Sequence, residues 1–193
     1  MPDALEPAPS GRAKCRGCGR AIAKGDLRFG EALPSSYREG ESVFWFHLFC
    51  AACMRPEKVL ALFESRTDEI AGRAELEAVA RLGVAHERLT RLRGAERSPS
   101  GRAACRHCRE LIEKGAWRLA LQMFEEGRFQ PSGFVHVACA ADYFGTAELI
   151  ERVRRLSADL NEADLTQLTE QLRARPSLAK TVPELDEHEA GSG

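Results

Sequence analysis

Pro9-Ser10-Gly11-Arg12-Ala13-Lys14-Cys15-Arg16-Gly17-Cys18 decides how the rest of the chain is read. Ninety residues later it returns as Pro99-Ser100-Gly101-Arg102-Ala103-Ala104-Cys105-Arg106-His107-Cys108. Over Pro9 to Phe29 and Pro99 to Leu119 the two copies agree at 12 of 21 positions. Farther along, His47-x2-Cys50 recurs at an offset of 89 as His136-x2-Cys139, so the second copy has lost one residue from its intervening loop. One unit is present twice.

Each unit supplies three cysteines and one histidine: Cys15, Cys18, His47 and Cys50 in the first, Cys105, Cys108, His136 and Cys139 in the second. The two halves of each quartet are separated by 28 residues in the first unit and 27 in the second. A two-residue gap lets neighbouring cysteines converge on one ion, and a long loop brings the second pair back by folding. Three thiolates and an imidazole form the set that a closed tetrahedral zinc site takes, with no position left for a catalytic water. Two structural Zn2+ ions are therefore expected. A unit of about fifty residues buries too little surface to hold itself together, whereas structural zinc contributes on the order of 10 to 16 kcal/mol in finger peptides. Cys53 follows Cys50 at another two-residue gap but has Asp142 as its counterpart, so it is read as a free thiol, packed or partly exposed. His107 lies between two ligands and His86 among Arg and Glu; both are read as ordinary surface histidines.

The chain has 193 residues, room for one ordinary domain or two small ones. Its longest apolar run, Val43 to Met54, is interrupted by His47 and is too short to span a bilayer. The first ten residues lack both the basic start and the apolar core of a secretory leader. An intracellular protein without a membrane partner is expected, and in reducing surroundings clustered cysteines favour metal over disulfides. A net charge of -1 weighs against a nucleic-acid partner until it is divided along the repeat. Pro9 to Arg55 has eight Lys/Arg against four Asp/Glu, and Pro99 to Ala141 has six against four. Pro56 to Ser98 balances at eight each, while Asp142 to Gly193 has six basic and eleven acidic residues. Basic charge is gathered on the repeats.

The organisation read from this pattern is a disordered N-terminus (1–8), a first module (9–64), a helical linker (65–98), a second module (99–144), a helical hairpin (145–176) and a disordered acidic tail (177–193). Pro56 stands at a first helical position. Thr67-Asp68-Glu69 reads as a cap with an acidic first turn, and Leu76, Val79, Leu82, Leu89 and Leu92 keep a spacing near 3.6, with Gly94 as the stop. Ala95 to Ser100 reads as a short flexible joint. Thr146 caps one helix of the hairpin, and Asn161, with Asp164 in its first turn, caps the other.

Gly11-Arg12-Ala13 before Cys15-x2-Cys18, Lys24-Gly25, Leu27-Arg28 and Trp45-Phe46-His47-x2-Cys50 together resemble the PARP-type zinc finger. This is the long-loop finger at the start of poly(ADP-ribose) polymerase and in a nick-sealing DNA ligase. Gly101-Arg102-Ala103, Ile112-Glu113-Lys114-Gly115, Arg118 and Phe134-Val135-His136-x2-Cys139 carry the same resemblance in the second unit. It implies an α+β chain with two zinc-stapled modules, each a small antiparallel sheet with helices, and a DNA partner met at nicks, gaps or ends. By the same resemblance Arg12 and Arg102 contact phosphate, as do Arg28 and Arg118 on the following strand. Tyr37 and Arg38 in the first unit, and Phe129 with Met123 and Phe124 in the second, fall where side chains stack on exposed bases, although Ser42 stands where an aliphatic residue is expected. Arginine beside an aromatic suits a broken end on physical grounds too: guanidinium holds phosphate, and a stacked base adds about 1 to 3 kcal/mol.

The function expected is zinc-dependent binding of DNA breaks without catalysis, one finger gripping each side, in the nucleus or a bacterial nucleoid. The competing reading is a zinc-stabilised adaptor that binds a protein partner through the Thr146 to Arg175 hairpin and the acidic tail. An enzyme fits worst, because no segment remains for an ADP-ribosyltransferase domain, a ligase core or a Walker-type loop.

Overall fold

The computed structural model describes residues 3–34, 40–125, 128–157 and 160–174. Two three-stranded antiparallel sheets are built alike. The first runs β1 (Ala4–Pro7), β2 (Leu27–Pro34), β3 (Glu41–His47) and the second β4 (Leu92–Arg97), β5 (Trp117–Glu125), β6 (Arg128–His136), each with its middle strand central. The registers coincide: Glu6 faces Arg28 and Arg28 faces His47, as Glu96 faces Arg118 and Arg118 faces His136. With the helices described below, this is the α+β architecture expected.

The repeat reaches further upstream than its identities show. Residues 1–8 were expected to be disordered, yet Ala4 to Pro7 pair with Leu27 to Gly30. The reason is the duplication itself: β1 is the counterpart of β4, and the pair shares only Glu6 and Glu96 by identity. The same fact overturns the flexible joint. Ala95 to Arg97 lie in β4, where the Ala95 N–H donates to Ser157 Oγ at 2.8 Å. Gly94 stops no helix; it sits at a bulge in β4 with φ of 146°, and a Cβ there would lie 3.0 Å from the Ser157 backbone.

After β3 the chain turns into α1 (Leu48–Met54), nearly all of whose residues are buried, and then into α2 (Pro56–Glu64), with Pro56 at its first turn. The α3 helix (Arg73–Ala85) starts later than Thr67-Asp68-Glu69 predicts. Asp68 is held instead by Arg66, at 2.8 and 2.9 Å, and Gly72 at φ of 70° leads into the helix. Leu89 falls in a 3-10 turn (Glu87–Arg91) and Leu92 in β4, so the helical spacing ends before both. A second 3-10 turn (Val137–Cys139) leads into α4 (Ala140–Phe144).

The expected C-terminal hairpin is α5 (Ile150–Leu156) and α6 (Glu162–Arg173). Asn161 and Asp164 form a reciprocal capping box on α6. Thr146 does not cap α5; its Oγ1 accepts from the Glu148 N–H at 3.1 Å, four residues before the helix begins. The expected acidic tail, 177–193, lies outside the described residues. Buried side chains from both units and the hairpin, among them Phe29, Phe46, Phe63, Leu119, Phe144, Leu149, Val153 and Leu168, belong to one apolar cluster. The two modules share a core.

Candidate metal centres and nucleic-acid interface

In each unit the first cysteine pair stands on the turn before the central strand, and the His and last Cys lie where the third strand passes into a helical turn. Both quartets close: the four ligand atoms of Cys15, Cys18, His47 and Cys50 lie within 4.8 Å of one another, as do those of Cys105, Cys108, His136 and Cys139. His47 Nδ1 is 3.4 Å from Cys18 Sγ and 4.0 Å from Cys50 Sγ; His136 Nδ1 repeats these distances to Cys108 and Cys139. A zinc tetrahedron with bonds of about 2.0 to 2.3 Å has edges of about 3.6 to 3.8 Å, so these cages have its size.

The other ring nitrogens fix the tautomer. His47 Nε2 is 3.1 Å from the Ala21 carbonyl and His136 Nε2 is 3.3 Å from the Leu111 carbonyl, which leaves Nδ1 free to ligate. Backbone N–H groups of His47 and His136 donate to Cys15 and Cys105 sulfur at 3.3 and 3.4 Å. Side-chain hydrogen bonding among the three sulfurs, Cys15 first, holds the Cys18 thiol far below its ordinary value and the Cys50 thiol far above it. The same sulfurs, Cys15 first, push the His47 ring up to about 10. Such a cage calls for positive charge at its centre, and a divalent ion that turns all three thiols into thiolates supplies it. Cys53 is outside the cage, fully buried, with its thiol pushed up to about 11 by burial.

The two centres differ in shelter. At the first, α5 lies alongside: Arg20 donates to the Arg155 carbonyl, and Glu151, Arg154 and Arg155 face His47 and Phe49 across a cleft of about 750 Å³. At the second, Cys108 is exposed and Leu111, which takes the place of Ala21, is 62% exposed.

The expected nucleic-acid residues separate into groups. Arg12 and Arg102 are exposed on identical loops. Each loop is tied down on both sides: Gly25 N–H donates to the Ala8 carbonyl and Ile22 N–H to that of Ala13, with Gly115 to Ser98 and Ile112 to Ala103 repeating the pattern. The adjoining turns bring exposed Lys24 and Lys114 beside these loops, residues the sequence offered only as part of the resemblance. The repeat itself was the available signal, since both lysines survive in it.

Arg28 and Arg118 are buried instead. Arg28 pairs with Glu6 at 2.5 Å and lies 3.5 Å above the Trp45 ring; Arg118 pairs with Glu96 at 2.6 Å and lies 3.4 Å above Phe134. Their guanidinium groups are committed inside each sheet, and the sequence concealed this because the partner glutamates precede the recognisable repeat. Phe129 is half-buried in an edge contact with Phe46, ring centroids 6.0 Å apart, and Phe124 lies 5.0 Å from it. Tyr37 and Arg38 lie outside the described residues.

Two Cys3His zinc centres, each stapling a three-stranded sheet to a helical turn, define a tandem long-loop zinc-finger protein. Comparison with known proteins places this class. Residues 6–86 match the family model described as the Poly(ADP-ribose) polymerase and DNA-Ligase Zn-finger region. The chain carries a PARP-type zinc finger there, and the second unit repeats its register and cage. Poly [ADP-ribose] polymerase 1 of Oryza sativa subsp. japonica is 26% identical over 173 aligned positions, covering 82% of this chain and 17% of the relative. Its namesake in Gallus gallus is 31% identical over 137 positions, covering 63% and 14%. Poly [ADP-ribose] polymerase of Sarcophaga peregrina is 25% identical over 223 positions, covering 100% and 22%. The chain thus spans between 14 and 22% of these relatives' length. Among the described residues no helix is long and apolar enough to cross a membrane.

Proposed function

We propose that this protein binds duplex DNA at strand breaks through its two zinc modules and carries out no catalysis itself. The observation that carries the reading is the matched pair of exposed loops, Pro9 to Ala13 and Pro99 to Ala103, each set against a zinc cage and presenting Arg12 or Arg102 next to a lysine turn. A loop tied by backbone hydrogen bonds presents its arginine on an ordered backbone, so phosphate contact costs the side chain's freedom and not the loop's. Arg28 and Arg118 serve in this reading as internal supports that fix the strand behind each loop. The adaptor reading loses ground, since the apolar stripe of the hairpin, Leu149, Val153, Leu156, Leu165 and Leu168, is buried within the molecule itself.

The test is a titration of the full zinc-loaded chain with nicked, gapped, blunt-ended and closed circular duplex. Tighter binding to the broken forms supports the reading, with a salt slope of about 0.9 per phosphate neutralised. Equal affinity for closed circular and nicked DNA leaves a general duplex binder, and no binding at low salt refutes the reading.

A further inference from the structure

Phe124 and Phe129, at the paired ends of β5 and β6 where the sequence placed base-stacking aromatics in the second finger, are packed against the first finger. Phe129 meets Phe46 edge-on, and the Arg55 guanidinium lies 3.5 Å over the Phe124 ring and 5.4 Å from that of Phe129. Gln122 Nε2 donates to Met54 Sδ at 3.4 Å, and Met54 and Arg55 are neighbours at the end of α1. Behind Arg55 stands Glu31, 2% exposed, accepting from Arg55 Nε at 2.7 Å and paired with Lys58 at 3.0 Å.

The repeat makes this arrangement informative. Glu31 aligns with Leu121 at an offset of 90, and Arg55 aligns with Phe144 at an offset of 89, so the second unit fills the two places with apolar side chains, both buried. A buried ion pair is a costly substitute for an apolar contact. Here the charged pair occurs only in the unit whose helix end receives the other unit's hairpin, where a guanidinium can stack on an aromatic face and a carboxylate can hold it flat.

We propose that the β5–β6 hairpin is an internal strut and that Arg55 is the positioning residue locking it to the first finger. The strut fixes Arg12 and Arg102 at one spacing on DNA and engages Phe124 and Phe129 within the molecule in place of exposed bases. The DNA half of this inference rests on the break-binding reading above; the mechanical half does not.

The experiment uses the full zinc-loaded chain with Arg55→Ala, Arg55→Lys, and the double change Glu31→Leu with Arg55→Phe, which installs the second unit's own apolar pair and protects folding of the first finger. Three quantities are read: zinc per chain, the midpoint and shape of the calorimetric transition, and the ratio of nicked to closed-duplex affinity. The wild type should melt in one transition. Arg55→Ala and the double variant should keep two zinc ions, melt below wild type with a broadened or split transition and lose roughly tenfold in the affinity ratio, about the effect of one desolvated cation–aromatic contact. Arg55→Lys should restore the Glu31 pair without the flat stack and fall between them and wild type. A single unshifted transition in both Arg55→Ala and the double variant overturns the strut. If wild type has no preference for nicked DNA, the break-binding reading fails, and the calorimetry alone decides the strut.

Discussion

Arg118→Ala separates an internal support from a phosphate ligand. The guanidinium is 7% exposed; its Nη2 and Nε lie 2.6 and 3.2 Å from Glu96 Oε1, and the group stacks 3.4 Å over Phe134. Breaking a fully buried pair costs about 3 to 5 kcal/mol, whereas an exposed pair is worth about 1 or less. Glu96 is 34% exposed and can rehydrate when left alone, which places the cost at about 2 kcal/mol. For a chain of this size that is a fall in Tm of roughly 4 to 8 °C. Arg28→Ala should cost less, because Glu6 is 46% exposed and is contacted by one nitrogen.

Two measurements judge the argument. Thermal melting of the zinc-loaded protein should show Arg118→Ala below Arg28→Ala and both below wild type. The salt dependence of binding to nicked duplex should lose about 0.9 in slope for Arg12→Ala and nothing for Arg118→Ala. An Arg118→Ala variant that melts with wild type while losing a slope unit refutes the reasoning, for the side chain would then have left Glu96 for phosphate.

Zinc should leave the second centre first, since Cys108 is exposed whereas α5 lies over the first; a chromogenic chelator should report two phases, and Cys108→Ser should remove the fast one. Cys53 gives a pH signature. Burial raises its folded pKa from 9.0 to about 11, so its contribution is complete below pH 9.0 and fades as pH rises toward 11. Over that window wild type should lose about 3 kcal/mol more than Cys53→Ala, read as diverging melting curves. Arg152→Ala should destabilise by about 2 to 4 kcal/mol without lowering zinc content, because this buried guanidinium donates to the Cys53 carbonyl at 3.0 Å and the Val79 carbonyl at 2.7 Å and joins α5 to α1 and α3. Unfolding by urea checks it, and an unchanged midpoint would mean that α5 holds by apolar contacts alone.

Ligand spacing is a strong signal because a metal constrains residue type and separation together, and both cages were legible from eight residues. The strands β1 and β4 were not, since a strand read through its partner leaves little trace in its own sequence: Ala4 to Pro7 and Gly94 to Arg97 keep only one glutamate in common. That glutamate was the missing clue to Arg28 and Arg118. An arginine on a strand looks free until the carboxylate opposite is known, and register supplies the carboxylate. Leu89 and Leu92 misled for a related reason. Their spacing suits a helix, but packing within a sheet decided Leu92, which tertiary contacts commonly do at element ends.

Duplication gave both units the same cage, the same loop arginine and the same Arg–Glu pair, and some of the positions where the copies differ are those at which one unit meets the rest of the chain. Ala21 and Leu111 are equivalent and both exposed; the smaller lines the cleft beside α5, and the larger stands 62% exposed outside that cleft. Glu31 and Arg55 are polar where a hairpin docks, and their counterparts Leu121 and Phe144 are apolar where none does. A tandem of independent fingers on a flexible joint would need no such differences, and its affinity would follow from linker length. A shared core removes that freedom. The spacing between Arg12 and Arg102 is then a property of the fold, so lengthening the chain between α3 and β4 should disturb packing before it changes reach. Inserting four glycines after His86 should lower the melting temperature and leave the nicked-to-closed affinity ratio no better than wild type. An insertion that raises that ratio while melting normally would show that the fingers act as separate grips.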